Sequence, residues 1–105
     1  LALLENPTHT VESLAPFART VHLKDIGVEE SADGFRMAEV PLGQGILDQK
    51  SMVATVRKAS PNARFHLEMI PRDPLEIPCL GEKYWATLGR VNGRDLARTL
   101  RLVKA

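Results

Sequence analysis

The chain has 105 residues, with 14 Lys plus Arg against 13 Asp plus Glu, 3 His and 1 Cys. That length suits one domain, and a formal net charge of +1 gives no electrostatic reason to expect nucleic acid or an anionic membrane as a partner. The lone Cys79 excludes an intrachain disulfide framework and a four-cysteine zinc site. The longest purely apolar run, Leu1–Leu4, falls far short of the roughly 20 residues that span a bilayer. No secretory signal pattern is visible, so the expectation is a cytoplasmic protein without membrane attachment. The start at Leu1, followed at once by apolar residues, leads us to expect a piece of something longer or a processed product.

Asn6-Pro7 is a helix-start signal: the Asn6 side chain can accept from a free amide of the first turn, and proline suits the first helical position. Val11, Leu14 and Ala15 follow at helical spacing, and Pro16 should end or kink that helix. Arg19 to Ile26 is rich in β-branched residues and alternates, which predicts a strand with Thr20, His22 and Lys24 on one face and Val21, Leu23 and Asp25 on the other. Gly27 to Leu47 shows no helical period and is expected to be a long functional or mobile loop. Within it, Leu42-Gly43-Gln44-Gly45 is read as a tight turn or, more weakly, as a phosphate cradle.

Asp48 is the expected cap of a second helix, with Met52, Val53, Val56 and Ala59 as its apolar stripe and Ser60-Pro61-Asn62 as its end. Arg64 to Pro71 is expected to be a second strand, with Phe65, Leu67 and Met69 on one face and His66, Glu68 and Ile70 on the other. Asp73 to Gly81 should be irregular, Glu82 to Leu88 a short helix, Asn92-Gly93 a turn, and Asp95 to Val103 a terminal helix. Strands separated by a loop and a helix imply parallel pairing and an α/β protein. Two strands are too few for a finished parallel sheet, so partners from an upstream part of the same protein or from other copies of the chain are expected.

His22 and Glu68 each stand late in a strand, at the edge where parallel α/β folds build sites. An imidazole nitrogen with a carboxylate oxygen is a partial ligand set for a divalent metal; the plainer alternative is a buried His–Glu hydrogen bond. Lys24 can stabilise an oxyanion or hold a substrate phosphate or hydroxyl, or it can snorkel from its strand. His66 can orient Glu68, contact substrate or be a satisfied core histidine, and Arg72 and Arg36 can bind an anionic group or be merely solvated. Cys79 reads as a small apolar filler with no nearby base.

The segments Val21-His22-Leu23-Lys24-Asp25, Val40-Pro41-Leu42-Gly43-Gln44-Gly45-Ile46-Leu47-Asp48 and Leu67-Glu68-Met69-Ile70 resemble, in order and spacing, the sugar phosphate isomerase/epimerase group of xylose-isomerase-like TIM barrels. The first resembles strand seven, the second the turn into helix seven and the third strand eight. The resemblance implies that residues 1–105 are a partial barrel, helix 6 through helix 8, with about the last two β/α units of a (β/α)8 fold, parallel strands and outer helices. A whole barrel needs about 250 residues. It further implies that His22 and Glu68 are metal ligands, Glu68 and Lys24 catalytic groups, and His66, Arg72 and Arg36 substrate-binding groups.

The implied cofactor is a divalent metal (Mn2+, Mg2+, Co2+ or Zn2+) whose ligand set is incomplete in this chain. The implied activity is isomerisation or epimerisation of a sugar or sugar derivative in carbohydrate metabolism, by proton transfer next to a carbonyl through an enediolate. A lyase, dehydratase or decarboxylase on the same barrel is one alternative, and a non-catalytic partial barrel that self-associates is another. A homo-oligomer or a missing N-terminal half is expected, and enzyme activity is assigned to the longer parent rather than to this chain alone. Thr20 departs from many relatives, which place a further histidine there.

Overall fold

The computed structural model describes residues 2–86 and 92–105. Helix α1 spans Pro7–Leu14, with the Asn6 side chain accepting from the amides of Thr8 (3.1 Å) and His9 (3.4 Å). Pro16 falls in a 3-10 turn over Ala15–Phe17 that ends the helix as expected. Helix α2 spans Gln49–Ala59, opened by Asp48, which accepts from Ser51 N at 3.0 Å. Helix α3 spans Gly93–Lys104; Asn92 is its N-cap, accepting from Asp95 N at 2.9 Å, rather than part of a turn before it. The short helix expected from Glu82 is a 3-10 turn over Glu82–Trp85; Thr87 and Leu88, its expected end, lie outside the described residues.

Strand β1, Thr20–Leu23, pairs in parallel with β4, Arg64–Leu67, and α2 lies between them in the chain. His22 stands opposite His66, and Leu23 opposite Leu67. Beyond the last strand residue, Glu68 N donates to Leu23 O at 3.0 Å, which carries the parallel pairing one step further. That much of the β-α-β expectation holds.

The expected barrel does not. Residues 27–47 are not a loop but hold most of a hairpin: β2, Asp25–Ser31, runs antiparallel to β3, Gly34–Val40, and β3 pairs antiparallel with β5, Leu75–Ile77. The described residues therefore form a two-stranded parallel sheet, β1-β4, and a separate three-stranded antiparallel sheet, β2-β3-β5. This overturns the reading as the last two β/α units of a TIM barrel with outer helices, because three of the five strands among the described residues belong to an antiparallel sheet. The physical cause is legible afterwards. Asp33-Gly34 is a hairpin turn signal, and Phe35-Arg36-Met37 directly after it alternate apolar and polar. The expected single strand over 19–26 also divides, at Lys24, into β1 and β2.

Alternation along β3 places Phe35, Met37 and Glu39 on one face and Arg36 on the other. The first face meets α3: Phe35, Ile77, Cys79, Leu4 and Val103 form the buried core, with Val28, Met37, Tyr84, Trp85 and Leu96 packed around it. Cys79 is the buried filler expected of it, and burial holds its thiol above the usual cysteine range. A second apolar layer lies between the parallel pair and α1 and α2, where Val21, Phe65, Met52, Val53 and Val56 line a cavity of about 280 Å³. No helix among the described residues is long and apolar enough to cross a membrane.

Candidate functional site

The site forms where both sheets end. His22 comes from β1, Lys24 from the break between β1 and β2, Glu39 from β3 and Glu68 from the residue after β4. His22 Nδ1 lies 2.5 Å from Glu68 Oε2, and the Lys24 ammonium donates to Glu39 Oε1 at 2.7 Å and meets Glu68 Oε1 at 3.2 Å. The second oxygen of Glu39 accepts from Ile70 N at 2.5 Å. The four side chains thus form one row of alternating partners, His22–Glu68–Lys24–Glu39. It lies open to solvent at the His22 end, where the side chain is 57% exposed, and most sheltered at Glu39, 18% exposed.

Charge follows from that arrangement. The Glu68 carboxyl is held below the usual carboxylate range, first by the contact with His22 and then by Lys24. Glu39 is held low by the Ile70 amide and then by Lys24. Lys24 is pushed above the usual lysine range by Glu39 first and Glu68 second. At neutral pH the row therefore presents an ionised carboxylate beside a fixed ammonium. A lysine held protonated is an electrostatic donor and not an amine nucleophile.

The expected residues divide. His22, Lys24 and Glu68 meet, and the His–Glu contact is made, although it is largely exposed rather than buried. His66 stands beside His22, with ring centroids 5.5 Å apart and planes tilted by 60°. Arg72, exposed in the loop after β4, acts on the cluster only through its charge, which helps to hold Glu39 ionised. Arg36 is elsewhere: it occupies the solvent face of the antiparallel sheet, between Glu29 (3.8 Å) and Glu76 (3.3 Å) from the strands on either side. Cross-strand charge pairing explains it.

Two residues of the site region escaped sequence reasoning. Glu39 lies in the stretch expected to be a loop, which gives it no face; on a strand that starts at the Asp33-Gly34 turn it is a charge at a half-buried position, which requires a partner. Asp25 is 1% exposed. Its carboxylate accepts from Ile26 N (2.9 Å), Gly43 N (2.9 Å), Gly45 N (3.0 Å) and Leu47 N (3.3 Å). The signal was a carboxylate on the same strand face as Val21 and Leu23. This contact also resolves the Leu42–Gly45 turn: its amides do surround an anion, but the anion is the chain's own Asp25. Burial pushes the Asp25 carboxyl up, and the four amides together outweigh it, leaving it below the usual range.

His22 and Glu68 offer one imidazole nitrogen and one carboxylate oxygen, a donor pair suited to a borderline divalent cation. Among the described residues no group of three or more His, Cys, Asp or Glu side chains is placed to hold a metal. For this pair to hold a cation, further donors would have to come from water, substrate or another chain. Comparison of the chain with protein-family models, with curated proteins and with solved structures finds no match.

Proposed function

We propose that His22, Lys24 and Glu68 form part of a proton-transfer site acting next to the carbonyl of a sugar or sugar derivative, as in an isomerase or epimerase. The observation that carries this reading is the Glu68 carboxylate gripped between His22 Nδ1 and the Lys24 ammonium at the open end of a parallel strand pair. Glu68 takes the proton from the carbon beside the carbonyl. The electron pair left behind moves onto the carbonyl oxygen and gives an enediolate. The Lys24 ammonium stabilises the new negative charge; an isomer forms when the proton goes to the neighbouring carbon and the hydroxyl proton shifts to the former carbonyl oxygen, and an epimer forms when an acid on the opposite face, water or a group of another chain, delivers a proton to the first carbon. His22 and Glu68 would together hold a divalent cation (Mn2+, Mg2+, Co2+ or Zn2+), which, when bound, polarises the substrate oxygens. A cytoplasmic setting belongs to the proposal.

The test is exchange of carbon-bound hydrogen of dihydroxyacetone or D-fructose in D2O, followed by NMR with and without Mn2+. Exchange is expected for the wild-type chain, reduced about 100-fold or more in Glu68→Gln, which loses the base. Exchange undiminished in that variant overturns the reading.

Self-association is a second reading favoured by a separate observation. Among the described residues β1 pairs only with β4, so both outer edges of the parallel sheet are open, with Leu67 71% exposed on β4 and Phe17 81% exposed just before β1. Open edges beside apolar side chains invite pairing with another chain. Size-exclusion chromatography with light scattering is expected to give a mass above the 11.6 kDa of one chain, returning to that value in Leu67→Lys. A monomer mass at every concentration removes this reading.

A further inference from the structure

We infer that Glu39 is a positioning residue for the proton-transfer site, one carboxylate that aims Lys24 with one oxygen and pins the backbone after Glu68 with the other. The inference rests on the reading of Lys24 and Glu68 given above and names a residue on which that reading does not draw. Glu39 belongs to β3 of the antiparallel sheet, whereas His22 and Glu68 belong to the parallel pair. Its Oε1 accepts from Lys24 Nζ at 2.7 Å and its Oε2 from Ile70 N at 2.5 Å. Ile70 is two residues beyond Glu68, in a segment without regular structure.

The geometry explains why one residue does both tasks. Lys24 has a long, flexible side chain that could otherwise leave the site for water. The segment after Leu67 has left the strand ladder, and after the Glu68 amide bonds to Leu23 O the next anchor is Ile70 N on Glu39. Glu39 thereby fixes the ammonium and limits where the Glu68 carboxylate can stand. It also joins the two sheets at the point where the site is built. Alternation along β3 puts Glu39 on the inward face with Phe35 and Met37, so its side chain is held by the same strand that carries the core. It touches no expected reacting atom, and its effect passes through Lys24 and the backbone.

The experiment uses the full chain, 15N-labelled, as wild type, Glu39→Gln and Glu39→Ala. Glu39→Gln keeps the shape and an acceptor oxygen, and serves if Glu39→Ala fails to fold. In both variants the Ile70 amide is expected to lose its downfield shift, and its hydrogen exchange should quicken by about 10-fold or more, since a charge-assisted bond is weakened or lost. The His22 ring signals should shift as Glu68 loosens, while amides of Phe35 and Val56 stay in place. In the dihydroxyacetone exchange assay kcat is expected to fall about 10- to 100-fold with KM changed less than threefold, and more in Glu39→Ala than in Glu39→Gln. An unchanged Ile70 amide and unchanged His22 signals overturn the inference. So does a fall confined to KM. If the wild type shows no exchange at all, the proton-transfer reading fails, and the amide and ring signals still decide whether Glu39 holds the cluster.

Discussion

Replacing Asp25 with Ala is expected to cost at least about 3 kcal/mol of stability, because the amides of Ile26, Gly43, Gly45 and Leu47 lose a buried charged acceptor together. For a domain of this size that lowers Tm by ~12 °C or more. The loss should appear first in the segment from Gly43 to Leu47, which Asp25 ties to the start of β2. Gly45→Ala tests the same contact from the other side: a Cβ there would stand 2.1 Å from Asp25 Oδ1 and 2.4 Å from Ile26 O, so the carboxylate or the turn must move.

The same carboxylate sets a pH dependence. Its pKa is lowered in the folded state, so its contribution is complete above the unfolded value of about 3.9. That contribution is lost as pH falls through the folded value. Acid unfolding of the wild type should therefore steepen below about pH 4, and Asp25→Asn should be less stable at neutral pH and flatter in acid. The slope remaining in Asp25→Asn belongs to Glu39 and Glu68, whose carboxyls are held low as well. Urea midpoints between pH 2 and pH 7 measure both effects; parallel curves for the two proteins would show that the buried carboxylate contributes nothing.

Gly34→Ala is the second substitution expected to act strongly. Gly34 opens β3 against the end of β5, and a Cβ there would stand 2.0 Å from Ile77 O and 2.8 Å from Cys79 N. Both are backbone atoms, so relief requires β5 to move off β3 and to withdraw Ile77 and Cys79 from the core with Phe35. A cost of about 3 kcal/mol is expected. Trp85 reports on it directly. It is the single tryptophan of the chain, its Nε1 donates to Cys79 O at 2.9 Å, and it meets Tyr84 edge-on at 4.8 Å. Its emission should shift toward that of exposed indole at lower denaturant in Gly34→Ala. Coincident unfolding curves for variant and wild type would count against so close an approach of β5.

Local chemistry was enough for the helices and for half of the site. Asn6-Pro7 and Asp48 mark the starts of α1 and α2 because capping is settled within four residues, and an amide freed at a helix start finds its acceptor there. Asn92 caps α3 by the same rule, and the Gly93 that follows it gives the pair the look of a turn. Alternation sets His22 and Lys24 on one face of the first strand and His66 and Glu68 on one face of the second; the parallel register then stands His22 opposite His66. The meeting of His22, Lys24 and Glu68 follows from those two strands lying in parallel register.

The antiparallel sheet was a decision of the tertiary structure. Gly27 to Val40 has few large apolar residues, and its strand pattern emerges only when Asp33-Gly34 is taken as a turn and Phe35 and Met37 find α3 to bury against. Leu75–Ile77 is a three-residue strand between prolines, too short to declare itself without β3 beside it. The assignment to a barrel fails for that reason: motif order along the chain does not constrain what the intervening residues pair with. The same is true of the polar groups. A carboxylate accepts from whatever donors the fold brings to it, so Asp25 could be recognised as a buried charge from its strand face but not as the anchor of the Gly43–Leu47 turn. Glu39 could not be joined to Lys24 and Ile70 until the two sheets met. Periodicity and capping are properties of neighbours in sequence; apart from Ile26 N on Asp25, the partners of these charges lie 15 to 31 positions away and meet them only once the chain has folded.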